Sequence, residues 1–308
     1  MKTLSRRQFV TSTVTAALGT QLGMSAPAKD GHYIDAHVHV WTSDTERYPL
    51  AKGFKKKDMA PPSFTPEQLF VHTHPQGVNR IVLIQMSYYR FDNRYMLDCM
   101  AAHPGVFSGV AIIDENAADV KGRMKDLAKQ GVRGFRLYKG DQEVSAWLSS
   151  PGMQEMWKVA ADEGLNLCLL INPEELAAAD KMCIQYPQTP VVIDHFARVG
   201  MADAITRAHL DRLLHMSAHP KVTLKTSAFY ALGRKTPPYT DLGGMIKECR
   251  QYFGAQRLMW ASDCPFQVDP GHTYADSISL IRDHLPFLTA EDKAWMLGKT
   301  AEKVFFGA

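Results

Sequence analysis

The 308-residue sequence has few cysteines, no long apolar run and no excess of charge over most of its length. Its five cysteines are odd in number and none is spaced C-x-x-C, which argues against a disulfide scaffold and a cysteine-based zinc site. The first 28 residues hold three basic residues and no acidic one; subtracting these three from 35 Lys and Arg leaves 32, equal to the 32 Asp and Glu. Residues 29–308 therefore carry no formal net charge, which gives no support for nucleic-acid binding or for a polybasic surface that binds membranes.

The N-terminal segment has the features of an export signal. Arg6 and Arg7 precede Phe9 and a weakly apolar run over residues 10–24, and small residues follow at 26–28. This order resembles a twin-arginine signal, with a disordered basic N-terminus as the alternative. The run is too short and too rich in Ser and Thr to span a bilayer permanently. We therefore expect a signal over 1–28, recognised by the twin-arginine export machinery, a mature domain over 29–308, a periplasmic location and no stable membrane anchor.

The remainder alternates between strand-like and helix-like segments. Apolar and β-branched runs predict eight strands, at residues 33–41, 80–86, 106–112, 132–138, 165–171, 191–195, 222–226 and 257–262. Helical periodicity lies between them, at 66–74, 94–103, 117–130, 153–163, 174–185, 202–216, 242–253 and 274–284. Eight such alternations predict a single-domain α/β fold, a (β/α)8 TIM barrel. A doubly wound sheet is the alternative, but no G-x-G-x-x-G follows the first strand.

The first strand carries two histidines, His37 and His39. A strand period of two places Asp35 on the same face as both histidines, and the aliphatic residues between them on the other face. Two imidazoles on one face can share a metal ion or polarise one substrate oxygen. Two buried histidines with ordinary hydrogen-bond partners are the alternative.

Polar residues also lie at or just after the C-terminal ends of most other strands. They are Gln85, Ser87, Arg136, Tyr138, Asn172, Asp194, His195, Lys225 and Asp263. In a TIM barrel these ends all meet at the face that carries the active site. Isolated polar substitutions in a core would not all fall at one end, so the pattern predicts a site there.

Several segments together resemble the amidohydrolase superfamily, in its amidohydrolase 2 branch, in the order that the family has them. They are IDAHVHVW at 34–41, GVRGFR at 131–136, VIDHF at 192–196, VTLKTS at 222–227, RLMWASDCP at 257–265 and GKTAEKVF at 298–305. The branch includes lactonases that act on sugar lactones, on 2-pyrone-4,6-dicarboxylate and on sulfomuconolactone. The resemblance therefore implies a lactone-opening hydrolase.

The resemblance also implies roles for individual residues. His37, His39, His195 and Asp263 would hold a metal ion or the substrate carbonyl, with Asp263 and His195 catalytic. Chemistry supports this, because an aspartate can deprotonate water beside groups that stabilise an oxyanion. The two-metal enzymes of the superfamily carry Lys or Glu on strand four and His on strand five, where this chain has Tyr138-Lys139 and Ile171-Asn172. We expect one divalent metal, zinc before manganese, or a metal-free mechanism that uses the histidines directly.

The expected substrate is a small anionic lactone, carboxylated or sulfonated, such as a muconolactone or a pyrone dicarboxylate. Arg136, Lys225 and Arg198 would bind its anionic group, since guanidinium groups bind such oxyanions bidentately, while Tyr48 and Ser87 would contact it from loops. A lining arginine paired with Asp194 or Asp35 is the alternative reading.

Two alternative functions follow from the same sequence. One is a metal-dependent decarboxylase of the same branch, which would use a strand-five histidine that this chain lacks. The other is an exported binding protein without catalysis, which the intact His37, His39, His195 and Asp263 argue against.

Overall fold

A computed structural model of the chain describes residues 33–138, 143–202 and 204–307. The predicted signal over residues 1–28 lies outside these residues. Eight parallel strands pair in chain order within one sheet, and helices lie between them. The predicted TIM barrel is therefore confirmed as the fold.

The strands are short and the helices amphipathic. The strands are β1 Tyr33–Val38, β2 Val78–Ile84, β3 Phe107–Ala111, β4 Val132–Tyr138, β5 Asn166–Leu170, β6 Val191–Ile193, β7 Val222–Ser227 and β8 Leu258–Ala261. The helices are α1 Pro66–Thr73, α2 Arg94–Ala102, α3 Val120–Lys129, α4 Pro151–Glu163, α5 Leu176–Gln185, α6 Arg207–His215, α7 Gly243–Phe253, α8 Tyr274–Asp283 and α9 Ala290–Ala294. No helix of the described ranges has the length and apolar character needed to cross a membrane.

Two helices begin three or more residues later than predicted, each directly after a residue that caps it. The helix expected over 117–130 begins at Val120, because the Asp119 side chain accepts a hydrogen bond from Gly122 N at 2.8 Å. The helix expected over 202–216 begins at Arg207, after Thr206, whose hydroxyl accepts from His209 N. Such caps satisfy amide groups that the first helical turn leaves without partners.

The barrel closes where β1 meets β8. The amide of His39 donates to Cys264 O at 2.8 Å, and the amide of Asp263 donates to His37 O at 2.9 Å. Nearer the start of β1, the carboxylate of Asp35 accepts a hydrogen bond from the amide of Ser262 at 2.9 Å. A side chain thus substitutes for a backbone acceptor in this seam.

The prediction that Asp35 shares a face with the histidines is wrong. The pairing of β1 with β2 shifts register between Asp35 and Val38. Before the shift, Ile34 packs inside the barrel with strand residues such as Val82, whereas Asp35 points to α8 and accepts from the Tyr274 hydroxyl at 2.8 Å. His37 lies within the shifted stretch and His39 beyond it, and both point inward, with their Nε2 atoms 3.2 Å apart. An irregularity of this kind resets the alternation of a strand, which a fixed period cannot reproduce.

The hydrogen bond from Tyr274 to the buried Asp35 can be tested with Tyr274→Phe. This variant leaves a buried carboxylate oxygen without its donor, so we expect the free energy of unfolding to fall by about 1–3 kcal/mol. Denaturant titration measures the loss, and Tyr252→Phe, which removes an exposed hydroxyl, is the matched control. An equal effect of the two substitutions would contradict the prediction.

The same variant should show a pH dependence. Burial raises the pKa of Asp35 to about 6, so the folded protein holds this proton more tightly than the unfolded chain, and Asp35 favours folding at low pH. That contribution is lost as pH rises through about 6. Because Tyr274 lowers the pKa of Asp35, its removal increases the loss. The stability difference between Tyr274→Phe and wild type should therefore shrink as pH falls below about 6.

Candidate active site

A cavity of about 290 Å³ opens at the C-terminal ends of the strands. Its polar lining is His39, Ser87, Arg136, Tyr138, His195, Arg198, Tyr230 and Asp263, and its apolar lining includes Met86, Ile112, Leu170, Met201, Leu232 and Phe266. The predicted site face is thus the face that carries the cavity. Its size suits one small ring with a few substituents.

The predicted histidines and aspartate come together at the base of this cavity. His37 Nε2 lies 3.2 Å from His39 Nε2. Asp263 Oδ1 lies 3.5 Å from His37 Nε2 and 3.6 Å from His39 Nε2. His195 Nε2 lies 3.9 Å from the other oxygen of Asp263, and all four side chains are buried.

Burial determines the protonation of this cluster. It lowers the pKa of His39, and it lowers that of His195 to about 4. Burial alone would raise the pKa of Asp263, but His195, His39 and His37 outweigh it and hold that pKa below its ordinary value. At neutral pH the site therefore presents one carboxylate to neutral imidazoles, which is the arrangement that a general base requires.

Tyr230 is a site residue that sequence reasoning missed. Its hydroxyl lines the cavity and donates to Asp263 Oδ2 at 2.7 Å. Burial and the neighbouring Asp263 raise the pKa of Tyr230, so the hydroxyl keeps its proton. Tyr230 lies three residues beyond the end of β7, and only the general rule that loops after barrel strands carry function could have indicated it.

Four residues that line the cavity have left-handed backbone conformations. Their φ angles are 51° at His195, 58° at Arg198, 57° at Ala228 and 66° at Asp263. None is glycine, so each conformation is costly, on the order of 1–3 kcal/mol, and residues strained in this way concentrate at functional sites. The turn at 195–198 also ends β6 earlier than predicted and directs both His195 and Arg198 into the cavity.

Two arginines face the cavity, and neither has a carboxylate partner among the residues that the structure describes. Arg136 Nη1 lies 3.5 Å from His39 Nε2, and no described residue hydrogen-bonds to its buried Nε. Arg198 Nη1 donates to the amide oxygen of Asn172 at 3.3 Å. Neither forms an ion pair within the described part of the chain, so the alternative of a lining arginine paired with Asp194 or Asp35 is wrong. Burial and the charge of Arg136 lower the pKa of Arg198, which an incoming anion would relieve.

Two residues expected to touch substrate lie elsewhere. Lys225 is fully buried behind His37, where its Nζ lies 3.0 Å from Asp194 Oδ1, and it is not among the residues that line the cavity. The Tyr48 hydroxyl donates to Asp98 at 2.6 Å, also outside the lining. Asp194 attracts the lysine because a buried carboxylate needs a cationic partner. The structure therefore places neither Lys225 nor Tyr48 at the cavity, whereas Ser87 does line it.

The cluster offers donor atoms for a metal ion. There are two sets of three residues whose potential ligand atoms, one per residue, lie within 4.8 Å of one another: His37, His39 and Asp263, and His37, Asp194 and His195. Imidazole nitrogens and carboxylate oxygens are ligands that zinc accepts. By position, these groups could hold one divalent ion.

The chain is similar to known proteins over nearly all of its described length. It is 27% identical to an L-fucono-1,5-lactonase of Burkholderia ambifaria over 243 residues, 78% of this chain and 82% of that protein. It is 25% identical to a 4-sulfomuconolactone hydrolase of Rhizobium radiobacter, over 75% of each chain. Among solved structures, a probable 2-pyrone-4,6-dicarboxylic acid hydrolase of Acinetobacter baumannii superposes with a TM-score of 0.76 at 23% identity, covering 89% of this chain and 99% of that one.

A family comparison agrees with these similarities. Residues 34–307 match the amidohydrolase family, a range that runs from β1 to the end of the described chain and contains every residue of the cluster. This chain belongs to the amidohydrolase family.

Proposed function

We propose that this protein is a lactonase that opens a small anionic lactone by attack of a water molecule. The observation that carries the proposal is the ionised Asp263 beside neutral imidazoles, at the base of a cavity lined by two arginines that form no ion pair with a described residue. The names of its relatives, which act on lactones, support the same reaction class.

Asp263 would act as the general base. Its carboxylate takes a proton from water while the water oxygen bonds to the lactone carbonyl carbon, and imidazole N–H groups stabilise the oxyanion that forms. Collapse of this tetrahedral species breaks the ring C–O bond. The departing alkoxide takes the proton back from Asp263, which leaves a hydroxy acid and an unchanged enzyme.

The metal-ligand candidates would perform related chemistry with an ion bound. By position, His37, His39 and Asp263 are the groups that would hold an ion if one binds, and a zinc or manganese ion there would supply Lewis-acid polarisation of the carbonyl. Asp263 would still lie within reach of the attacking water.

The arginines would select the substrate. Arg136 and Arg198 offer planar, paired donors that suit a carboxylate or a sulfonate. Met86, Ile112 and Leu170 form an apolar wall against which an unsaturated ring can pack.

We also propose that the protein is exported to the periplasm by the twin-arginine route. Arg6, Arg7 and the weakly apolar segment after them support this proposal. Its substrate would then be a small molecule that reaches that compartment.

A panel of carboxylated, sulfonated and neutral lactones tests the reaction. We expect proton release with an anionic lactone, and a loss in kcat of about 10²- to 10⁴-fold in Asp263→Asn, which removes the base. Proton consumption with aromatic acids would indicate a decarboxylase instead. Stoichiometric binding without turnover would indicate a binding protein, and either result would overturn the lactonase proposal.

Tyr230→Phe tests how Asp263 is positioned. Loss of a hydrogen bond to a charged group costs about 1.5–3 kcal/mol, so we expect kcat to fall by about 10- to 100-fold. KM should change little, because the hydroxyl donates its hydrogen bond to Asp263 and is therefore not available to bind substrate. Steady-state kinetics measure both constants, and an unchanged kcat would show that Asp263 needs no such partner.

Arg198→Met tests recognition of the anionic group. The substitution keeps an apolar stem and removes the charge, so KM for anionic lactones should rise by about 10- to 100-fold, as expected for a charged hydrogen bond. KM for a neutral lactone should stay close to that of wild type. Arg212→Met, at an exposed position on α6, is the matched control. Equal effects on both substrate classes would exclude an anion-binding role.

A further inference from the structure

Lys225 lies on the side of the His37 ring that faces away from Asp263. Its Nζ is 3.1 Å from His37 Nδ1 and 3.0 Å from Asp194 Oδ1, and both Lys225 and Asp194 are 0% exposed. Lys225 therefore forms a buried ion pair with Asp194, with the lysine as the ammonium partner. An ammonium has three donors and no acceptor, so His37 Nδ1 must accept its hydrogen bond.

This contact determines where His37 carries its proton. A neutral imidazole has one N–H, and because Nδ1 accepts, that proton lies on Nε2. Nε2 points at His39 Nε2, 3.2 Å away. His39 can accept there, because its Nδ1 donates to Ile84 O at 2.9 Å. Lys225 therefore donates to His37, His37 donates to His39, and His39 donates to Ile84 O, so that each donor in the series meets an acceptor.

A histidine that binds a metal through Nε2 needs the opposite tautomer. Its Nδ1 then carries the proton and usually donates to a carboxylate or carbonyl. Asp194 is the carboxylate nearest to serve, but its Oδ1 is 3.6 Å from His37 Nδ1, too far for a hydrogen bond, and is engaged by Lys225. The ligand atoms are close enough together to bind one ion. The proton on His37 Nε2, however, occupies the nitrogen that would have to coordinate it.

We propose that Lys225 is a positioning residue that keeps the proton of His37 on Nε2, so that His37 donates a hydrogen bond to the lactone carbonyl and the cluster binds divalent metal only weakly. The role toward the carbonyl rests on the proposed lactone hydrolysis. The tautomer and the metal affinity are properties of the protein without substrate.

The test compares wild type with Lys225→Met and Lys225→Arg in the mature chain. Long-range ¹H–¹⁵N spectra of protein labelled with ¹⁵N-histidine report which ring nitrogen carries the proton, and His37→Gln assigns the signal. We expect Nε2–H in wild type and Lys225→Arg. In Lys225→Met, Asp194 becomes free to accept from Nδ1, so we expect Nδ1–H.

Zinc affinity gives an independent readout. Competition with a chromogenic chelator should show zinc binding about 10- to 100-fold tighter in Lys225→Met, the range found when outer-shell partners of metal ligands change. Lys225→Arg should bind zinc as wild type does, and Lys221→Met, an exposed lysine beside β7, is the control for loss of a lysine.

Three results would overturn the proposal: Nδ1–H on His37 in wild type, an unchanged tautomer in Lys225→Met, or zinc affinity in that variant no higher than in wild type. If Lys225→Met does not fold, Lys225→Met/Asp194→Asn removes both buried charges but keeps an amide oxygen that can accept from His37 Nδ1, so it should still bind zinc more tightly than wild type. Failure of the lactone panel with these results intact would overturn the reaction and leave the role of Lys225 in place.

Discussion

The seam between β1 and β8 is the constraint on which the site depends. The two strands are furthest apart in the chain, yet the amide of Asp263 donates to His37 O and that of His39 donates to Cys264 O. These bonds fix the candidate base against two of its imidazole neighbours. The buried Asp35 supports the seam from the helix side by accepting from Ser262, so a residue that does no chemistry sets the spacing of those that do.

Charge is distributed in two layers around the histidines. Toward the cavity, Asp263 is ionised and the imidazoles are neutral because burial lowers their pKa values. Beneath them, Lys225 and Asp194 form a pair with no exposed surface. A buried charge pair contributes little net stability, because the cost of desolvation offsets the attraction. Orientation of His37 therefore explains the Lys225–Asp194 pair better than stability does.

Much of the fold was predictable because burial has a local signature. Strands covered on both faces read as apolar runs, and their spacing along the chain indicated eight β/α units. The helix starts at Val120 and Arg207 were misplaced because a cap depends on one side chain rather than on a period. The face of Asp35 was wrong for a similar reason, since a register shift within β1 interrupts the alternation.

By itself, the sequence determined the barrel, the end at which the site lies and the grouping of His37, His39, His195 and Asp263, because strand ends of one sheet must converge. Only the tertiary structure decided which charges pair. His37 and Lys225 are 188 residues apart, and no periodicity indicates that this lysine faces a histidine and Asp194 while Arg136 faces the cavity. The hydrogen bond of Tyr230 and the left-handed turn at His195 depend equally on groups that meet only in the folded chain. Hydrophobic pattern is a property of neighbouring residues, whereas the protonation and orientation of a site are properties of its surroundings in space.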